Sequence, residues 1–254
     1  MFRYLRIAIL LTILAIVAGN QWLTGKRLNS WTKPLWITIY PVLADPGPDI
    51  RRYAESIDAG SFQEIDDFLT QQAARYGQPL AKAAIFQVAR PLTALPPALP
   101  VEYSGLKVAL WSLEMRWWSW RNGAQDGLAP GDIRMFVIYQ KADPNGPLER
   151  SVGVRKGGYG VVNAVASSQR AARNRIIITH ELLHVLGATD KYDLHSGQPL
   201  APDGLADPQQ VPLYPQHRAE IMGGRIADSA NRWVYPASLR FCVIGPGTAA
   251  EIGW

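Results

Sequence analysis

The run Ile176-Ile177-Ile178-Thr179-His180-Glu181-Leu182-Leu183-His184-Val185-Leu186-Gly187-Ala188-Thr189-Asp190 sets two imidazoles four residues apart, with a carboxylate beside the first. On an α-helix this spacing puts His180 and His184 on one face, one turn apart, close enough to share a divalent ion. Imidazole and carboxylate donors together suit zinc, and the single cysteine of the chain excludes a site built on thiolates. Glu181 stands where it can hold a metal-activated water and take its proton, the general-base role in hydrolysis. The flanking Leu182, Leu183, Val185 and Leu186 are expected to anchor the opposite face in the core, giving the ligands a rigid support.

Two histidines leave zinc short of protein ligands. Gly187 can leave the helix in a left-handed conformation and turn the chain sharply, and Asp190 follows three residues later, where a carboxylate can swing back to the ion. Asp193 is a more distant substitute, and Glu220, 36 residues after His184, is a second alternative of a different topology. Tyr192 and Tyr214 each offer a phenol that could stabilise an oxyanion near the metal, against the plainer role of packing. His195 and His217 sit in polar, proline-rich surroundings and read as solvated.

His180-Glu-x-x-His184-x-x-Gly187-x-x-Asp190 resembles the extended zinc signature of the metzincin metalloproteases, in the snapalysin-like variant whose third ligand is Asp. Ala219-Glu220-Ile221-Met222-Gly223-Gly224 resembles the methionine-containing turn that lies beneath the metal in that family, with Met222 as its methionine. The resemblance implies one catalytic zinc held by His180, His184 and Asp190, Glu181 as general base, and peptide bonds as substrate. In gluzincin peptidases the third ligand is a downstream Glu, which would be Glu220 here; Gly187 and Met222 have a place only in the metzincin scheme. A second class of function is a membrane-tethered zinc-containing binding or assembly protein with little peptidase activity, in which the proline-rich stretch from Ala201 to Pro215 occludes the site.

The elements that must position these residues read as an α/β (α+β) domain with a mixed sheet, an active-site helix and an irregular C-terminal part. Leu35 to Val42 is β-branched and aromatic, Ala83 to Ala89 is a short apolar run, and Ile133 to Gln140 is a strong strand. Val152 to Val165 reads as one or two strands near a sheet edge, where a peptide could add as a further strand. Asp49 to Tyr76 has helical periodicity with Gly60 as a break, and Asn174 to Leu186 is the helix carrying the histidines. Leu106 to Arg121 predicts another helix, whose stripe Leu106, Leu110, Leu113, Trp117 and Trp120 is expected to face the core; the alternative is a membrane-surface face built from Trp111, Trp117, Trp118 and Trp120. Asp143 to Pro147 is a turn-rich loop.

With 254 residues, 48% hydrophobic and 19% charged, the chain can bury a sizeable core. Of its 26 basic residues, Arg3, Arg6, Lys26, Arg27 and Lys33 precede residue 34, where no acidic residue occurs. The remaining 21 face 21 acidic residues, so the +5 net charge belongs to the N-terminus and the domain lacks the footprint of a nucleic-acid binder. The excess brackets an apolar run from Ile7 to Ala18, extendable to Leu23. This predicts an uncleaved membrane anchor, with a signal peptide cut after Gly19 as the alternative and a buried helix as the third. Residues 1–30 are therefore read as anchor or signal peptide with its juxtamembrane segment, and residues 31–254 as one extracytoplasmic catalytic domain.

Overall fold

The computed structural model describes residues 25–254, apart from 46, 79, 99, 101–104, 126, 130, 142–150 and 155–157; before residue 25 it describes only 4, 6, 7, 11, 12, 19 and 23. The apolar segment expected to be an anchor and the loop from Asp143 to Pro147 thus fall mostly outside the described residues. Among the described residues no helix is long and apolar enough to cross a membrane, so the expected transmembrane helix finds no support there.

Five strands form a mixed sheet in the order β2-β1-β3-β5-β4: β1 (Leu35–Leu43), β2 (Ala84–Val88), β3 (Ile133–Gln140), β4 (Val152–Val154) and β5 (Tyr159–Val165). Strands β1, β2, β3 and β5 run parallel, and β4 alone is antiparallel, paired through Val152 to Val161 and Gly153 to Gly160. A parallel sheet needs both faces covered, and the alternation along β1 supplies two. Leu35, Ile37, Ile39 and Leu43 enter one core cluster, while Tyr40 and Val42 enter another on the opposite face. The first cluster packs against α1 (Pro48–Glu55), α2 (Gln63–Arg75) and α4 (Ala171–Leu186); the second packs against α3 (Gly105–Gly123).

The helical stretch from Asp49 to Tyr76 divides where expected. A 3-10 turn at Ala59–Phe62 separates α1 from α2, with Asp58 capping it through Ser61. Helix α3 occupies the predicted span but turns the other way. Leu110 is 57% exposed, Leu113 64%, Trp117 56% and Trp120 70%, so the stripe expected in the core faces outward. The buried large apolar positions are Trp111, Met115 and Trp118, at i, i+4 and i+7, packed with Tyr40, Phe136 and Tyr159 of the sheet. The reason is that α3 is apolar on most sides, and the aromatic sheet face selected the broad indoles and a flexible thioether. Trp118 meets Phe136 edge-on with ring centroids 4.9 Å apart.

Beyond α4 the chain is irregular, as its prolines require. Short pairs hold it: β6 (Ala219–Glu220) with β9 (Cys242–Val243) in parallel, and β7 (Ile226–Ser229) with β8 (Arg232–Val234) in antiparallel. A last helix, α5 (Pro246–Glu251), closes against the domain. Residues just before β1 are part of the same body. Leu28 and Trp31 are buried, Trp31 Nε1 donates to the Ile252 carbonyl, and Arg27 pairs with Asp132 at 2.9 Å.

Candidate metal centre

Helix α4 is held rigidly on three sides. Leu182, Leu183, Val185 and Leu186 are at most 1% exposed, as their sequence positions required; burial of each such side chain stabilises the fold by roughly 1.5–3 kcal/mol. Asn174 acts as a strand surrogate, accepting from the Val165 N–H and donating to the Val165 carbonyl, and so ties the helix to the end of β5. Arg175 pairs with Glu64 of α2 at 2.6 Å. The stripe Arg173, Ile177, His180 and His184 is only partly buried.

The imidazoles are set by backbone carbonyls. His180 Nδ1 lies 2.9 Å from the Ile221 carbonyl, and His184 Nδ1 lies 2.8 Å from the Ala188 carbonyl. Each Nδ1 therefore carries a proton, which leaves Nε2 as the nitrogen that can ligate a metal once its own proton is gone. Gly187 terminates α4 in the left-handed region with φ 118°, and its N–H and that of Ala188 return to the Leu183 carbonyl. That turn brings Asp190 back over the helix. Asp190 Oδ1 is 3.1 Å from His180 Nε2 and 3.2 Å from His184 Nε2. Its neighbours are fixed: Thr189 donates twice to Glu251 of α5, and Lys191 pairs with Glu251 at 2.8 Å while its N–H donates to the Met222 carbonyl.

His180, Glu181 and His184 bring ligand-capable atoms within 4.8 Å of one another, a group that could hold a metal ion. Two carboxylates compete to complete it. Donors about 2.0–2.1 Å from a tetrahedral zinc lie about 3.3 Å from each other, and the Asp190 oxygen meets that spacing to both imidazoles. Glu181 instead receives the Gly153 N–H on its carboxylate, while its Oε2 is buried with no partner. A buried polar atom of this kind calls for a partner, and a proton-bearing ligand beside it would supply one. The donor set of two imidazole nitrogens and one carboxylate oxygen, with an open side, fits zinc.

The electrostatics follow from this crowding. Burial pulls the Glu181 carboxyl upward, and the nearby histidines offset only part of that rise. Burial alone would lower His180, but the Asp190 hydrogen bond, Glu181 and the Ile221 carbonyl together raise it. Asp190 is held well below the usual carboxylate range, because hydrogen bonds from both histidines outweigh its burial.

Met222 is fully buried in the turn after β6, directly following the Ile221 carbonyl that orients His180. Glu220 is also fully buried, but its carboxylate is engaged by the Met222 and Gly223 N–H groups, the Gly245 N–H and the Thr248 hydroxyl, so it knits the turn together. Asp193 accepts from His195 and Ser196 in a local turn and faces solvent. The Tyr192 ring lies 6.3 Å from that of His180. Among the described residues Tyr214 makes no contact with the histidine pair; it precedes the cis peptide bond to Pro215.

Sequence reasoning passed over Gly153. This residue of the edge strand β4 lies against α4 so closely that a Cβ there would collide with the Glu181 carbonyl and come 2.6 Å from His184 Cβ. A glycine inside a strand pattern is the available signal for such an approach. The orienting carbonyls of Ile221 and Ala188 carry no signal in residue type at all.

No described protein family and no curated protein matches the chain. Among solved structures it is similar to a chain from a chaperone–substrate complex, at 13% identity and a TM-score of 0.41, over 87% of this chain and 34% of that one. The chain thus spans about a third of that protein's length, and a likeness of this degree carries neither family nor function across.

Proposed function

We propose that the chain is a zinc-dependent peptidase of metzincin type. The observation that carries this reading is the convergence of His180 Nε2, His184 Nε2 and Asp190 Oδ1 at the spacing of zinc ligands, with the Glu181 carboxylate alongside and one of its oxygens unpartnered. His180, His184 and Asp190 would hold the ion. Zinc bound there supplies Lewis acidity toward a peptide carbonyl and makes water easier to deprotonate.

The rest is the work of the protein. Gly153 holds one side of the Glu181 carboxylate by its N–H, leaving Oε2 to accept a proton from the attacking water. The raised affinity of Glu181 for protons suits it to carry that proton to the departing amine. Tyr192, whose ring lies 6.3 Å from that of His180, is the phenol this reading assigns to stabilise the oxygen of the carbonyl under attack. Buried Met222 and the turn held by Glu220 keep the Ile221 carbonyl, and hence His180, in position. The apolar N-terminal segment would tether the domain outside the cytoplasm, which N-terminal sequencing of the mature protein tests.

Zinc content and peptide hydrolysis of the full chain test the assignment together. Wild type should hold one zinc; His184→Ala should lose it and Asp190→Ala should bind it more weakly. Glu181→Gln should keep zinc yet lose at least about a hundredfold in turnover. Hydrolysis retained by Glu181→Gln refutes the mechanism. Zinc bound without hydrolysis by wild type favours the binding or assembly role, and folded wild type without zinc removes the enzyme reading altogether.

A further inference from the structure

Beside the histidines lies a cluster that the hydrolytic reading does not use. Arg225 follows the Met222 turn, and its Cζ sits 4.6 Å from the centroid of the Tyr192 ring and 4.6 Å from that of Trp233. Gly197 closes under it: a Cβ there would lie 3.1 Å from Arg225 Cζ. Arg225 Nε is buried without a partner, while the side chain as a whole is only partly buried. Tyr192 joins this stack to the metal centre, since the same ring lies 6.3 Å from that of His180.

A second guanidinium converges on the same place. Arg173 is two turns before His180 on the same partly buried stripe of α4, and its Cζ lies 4.1 Å from the Tyr235 ring; Arg225 Cζ lies 5.6 Å from that ring. Tyr235 is 48% exposed and both arginines are partly exposed, so the pair is open to solvent. Among the described residues neither guanidinium makes an ion pair or a hydrogen bond to the protein. Six basic side chains elsewhere, Arg27, Arg52, Lys82, Arg175, Lys191 and Arg232, do have carboxylate partners. Two like charges gathered around shared aromatic rings, with no anion of their own, form a site for one from outside. A rigid, stacked guanidinium presents its fork to a carboxylate at little entropic cost.

We infer that Arg225 and Arg173 form a carboxylate-binding subsite that selects peptides carrying an anionic group near the scissile bond. This rests on the peptidase reading for its substrate class, though not for the anion site itself. The carboxylate has two sources in a peptide, an acidic side chain or the free C-terminus. The first makes the protein an endopeptidase with acidic preference, and the second makes it a carboxypeptidase-like trimming enzyme.

The test measures binding and cleavage separately on the full-length chain. Zinc-loaded Glu181→Gln is titrated by fluorescence anisotropy with three labelled pools of randomised neutral peptides. One pool has a fixed internal Glu and an amidated C-terminus, one is neutral with a free C-terminus, and one is neutral and amidated. One of the first two should bind at least about tenfold more tightly than the third, the scale of a charge-assisted hydrogen bond. Arg225→Gln and Arg173→Gln, each introduced into Glu181→Gln, should erase most of that preference; Arg225→Lys should retain part of it, which guards against a folding defect in the Gln variant. Equal or absent binding of all pools, or a preference that survives undiminished in both the Arg225→Gln and the Arg173→Gln variant, overturns the subsite. Wild type then cleaves the same pools. Cleavage without charge preference sinks the subsite and leaves the peptidase standing, whereas charge-selective binding without cleavage does the reverse.

Discussion

His180 and Asp190 perturb each other in opposite directions, and the two effects bound the pH behaviour of the metal-free protein. His180 is raised above its ordinary value of 6.5 by Asp190, Glu181 and the Ile221 carbonyl acting against burial. The stabilisation this gives is complete below pH 6.5, and it disappears as pH rises through the folded-state value. Asp190 is lowered from its ordinary 3.8 by its two imidazole partners, so its contribution is present above pH 3.8 and disappears as pH falls through the folded-state value. Metal-free protein should therefore lose melting temperature as pH rises above 6.5. Zinc needs neutral imidazoles, so the zinc-induced rise in melting temperature should be largest at pH 8 and smallest near pH 5. Melting curves with and without zinc across this range check it, and a zinc shift independent of pH contradicts the pairing. At this scale the sequence was highly legible. His180, Glu181, His184, Gly187 and Asp190 are consecutive enough for helix geometry and one turn to bring them together. Arg225 was not legible, because its role depends on rings at 192, 233 and 235 brought in by irregular chain.

The edge strand β4 shows how an element constrains a site without contributing a ligand. Its Gly153 admits the helix at van der Waals distance and donates its N–H to Glu181. Gly153→Ala must push β4 away from α4, at a cost of roughly 1–3 kcal/mol. The expected result is a lower melting temperature together with weaker zinc binding, measured by calorimetry and by competition with a chelator. An unchanged zinc affinity would mean that β4 covers the centre without setting it. Strands and helices themselves were readable wherever their apolar periodicity was clean, as in β1, β3 and α4. On α3 it was not. Apolar residues on nearly every side left the choice of buried face to the aromatic surface of the sheet, which lies far away in sequence.

At the scale of the whole molecule, the centre leans on a rear wall made by β6, β9 and α5. Cys242 of β9 reports on that wall. It is 3% exposed, and burial, with Glu220 and Glu64 nearby, pushes its thiol up to about 12. Iodoacetamide at pH 8 should therefore leave it untouched in folded protein, and labelling should follow unfolding in urea. Rapid labelling of the native chain would mean that the wall behind the Met222 turn opens on its own. This wall was the least legible part of the chain: Glu220 looked like a ligand, and only the four donors gathered around it from residues 222, 223, 245 and 248 reveal a tie instead. The orienting of the two imidazoles by the carbonyls of Ile221 and Ala188 has a consequence for heredity. Every amino acid carries that oxygen, so no codon change at those two positions can delete it. A saturation-mutagenesis map would record only steric tolerance there, and two contacts that orient the imidazoles would go unseen. Their contribution is open to chemical synthesis alone, by replacing the peptide link that bears the carbonyl.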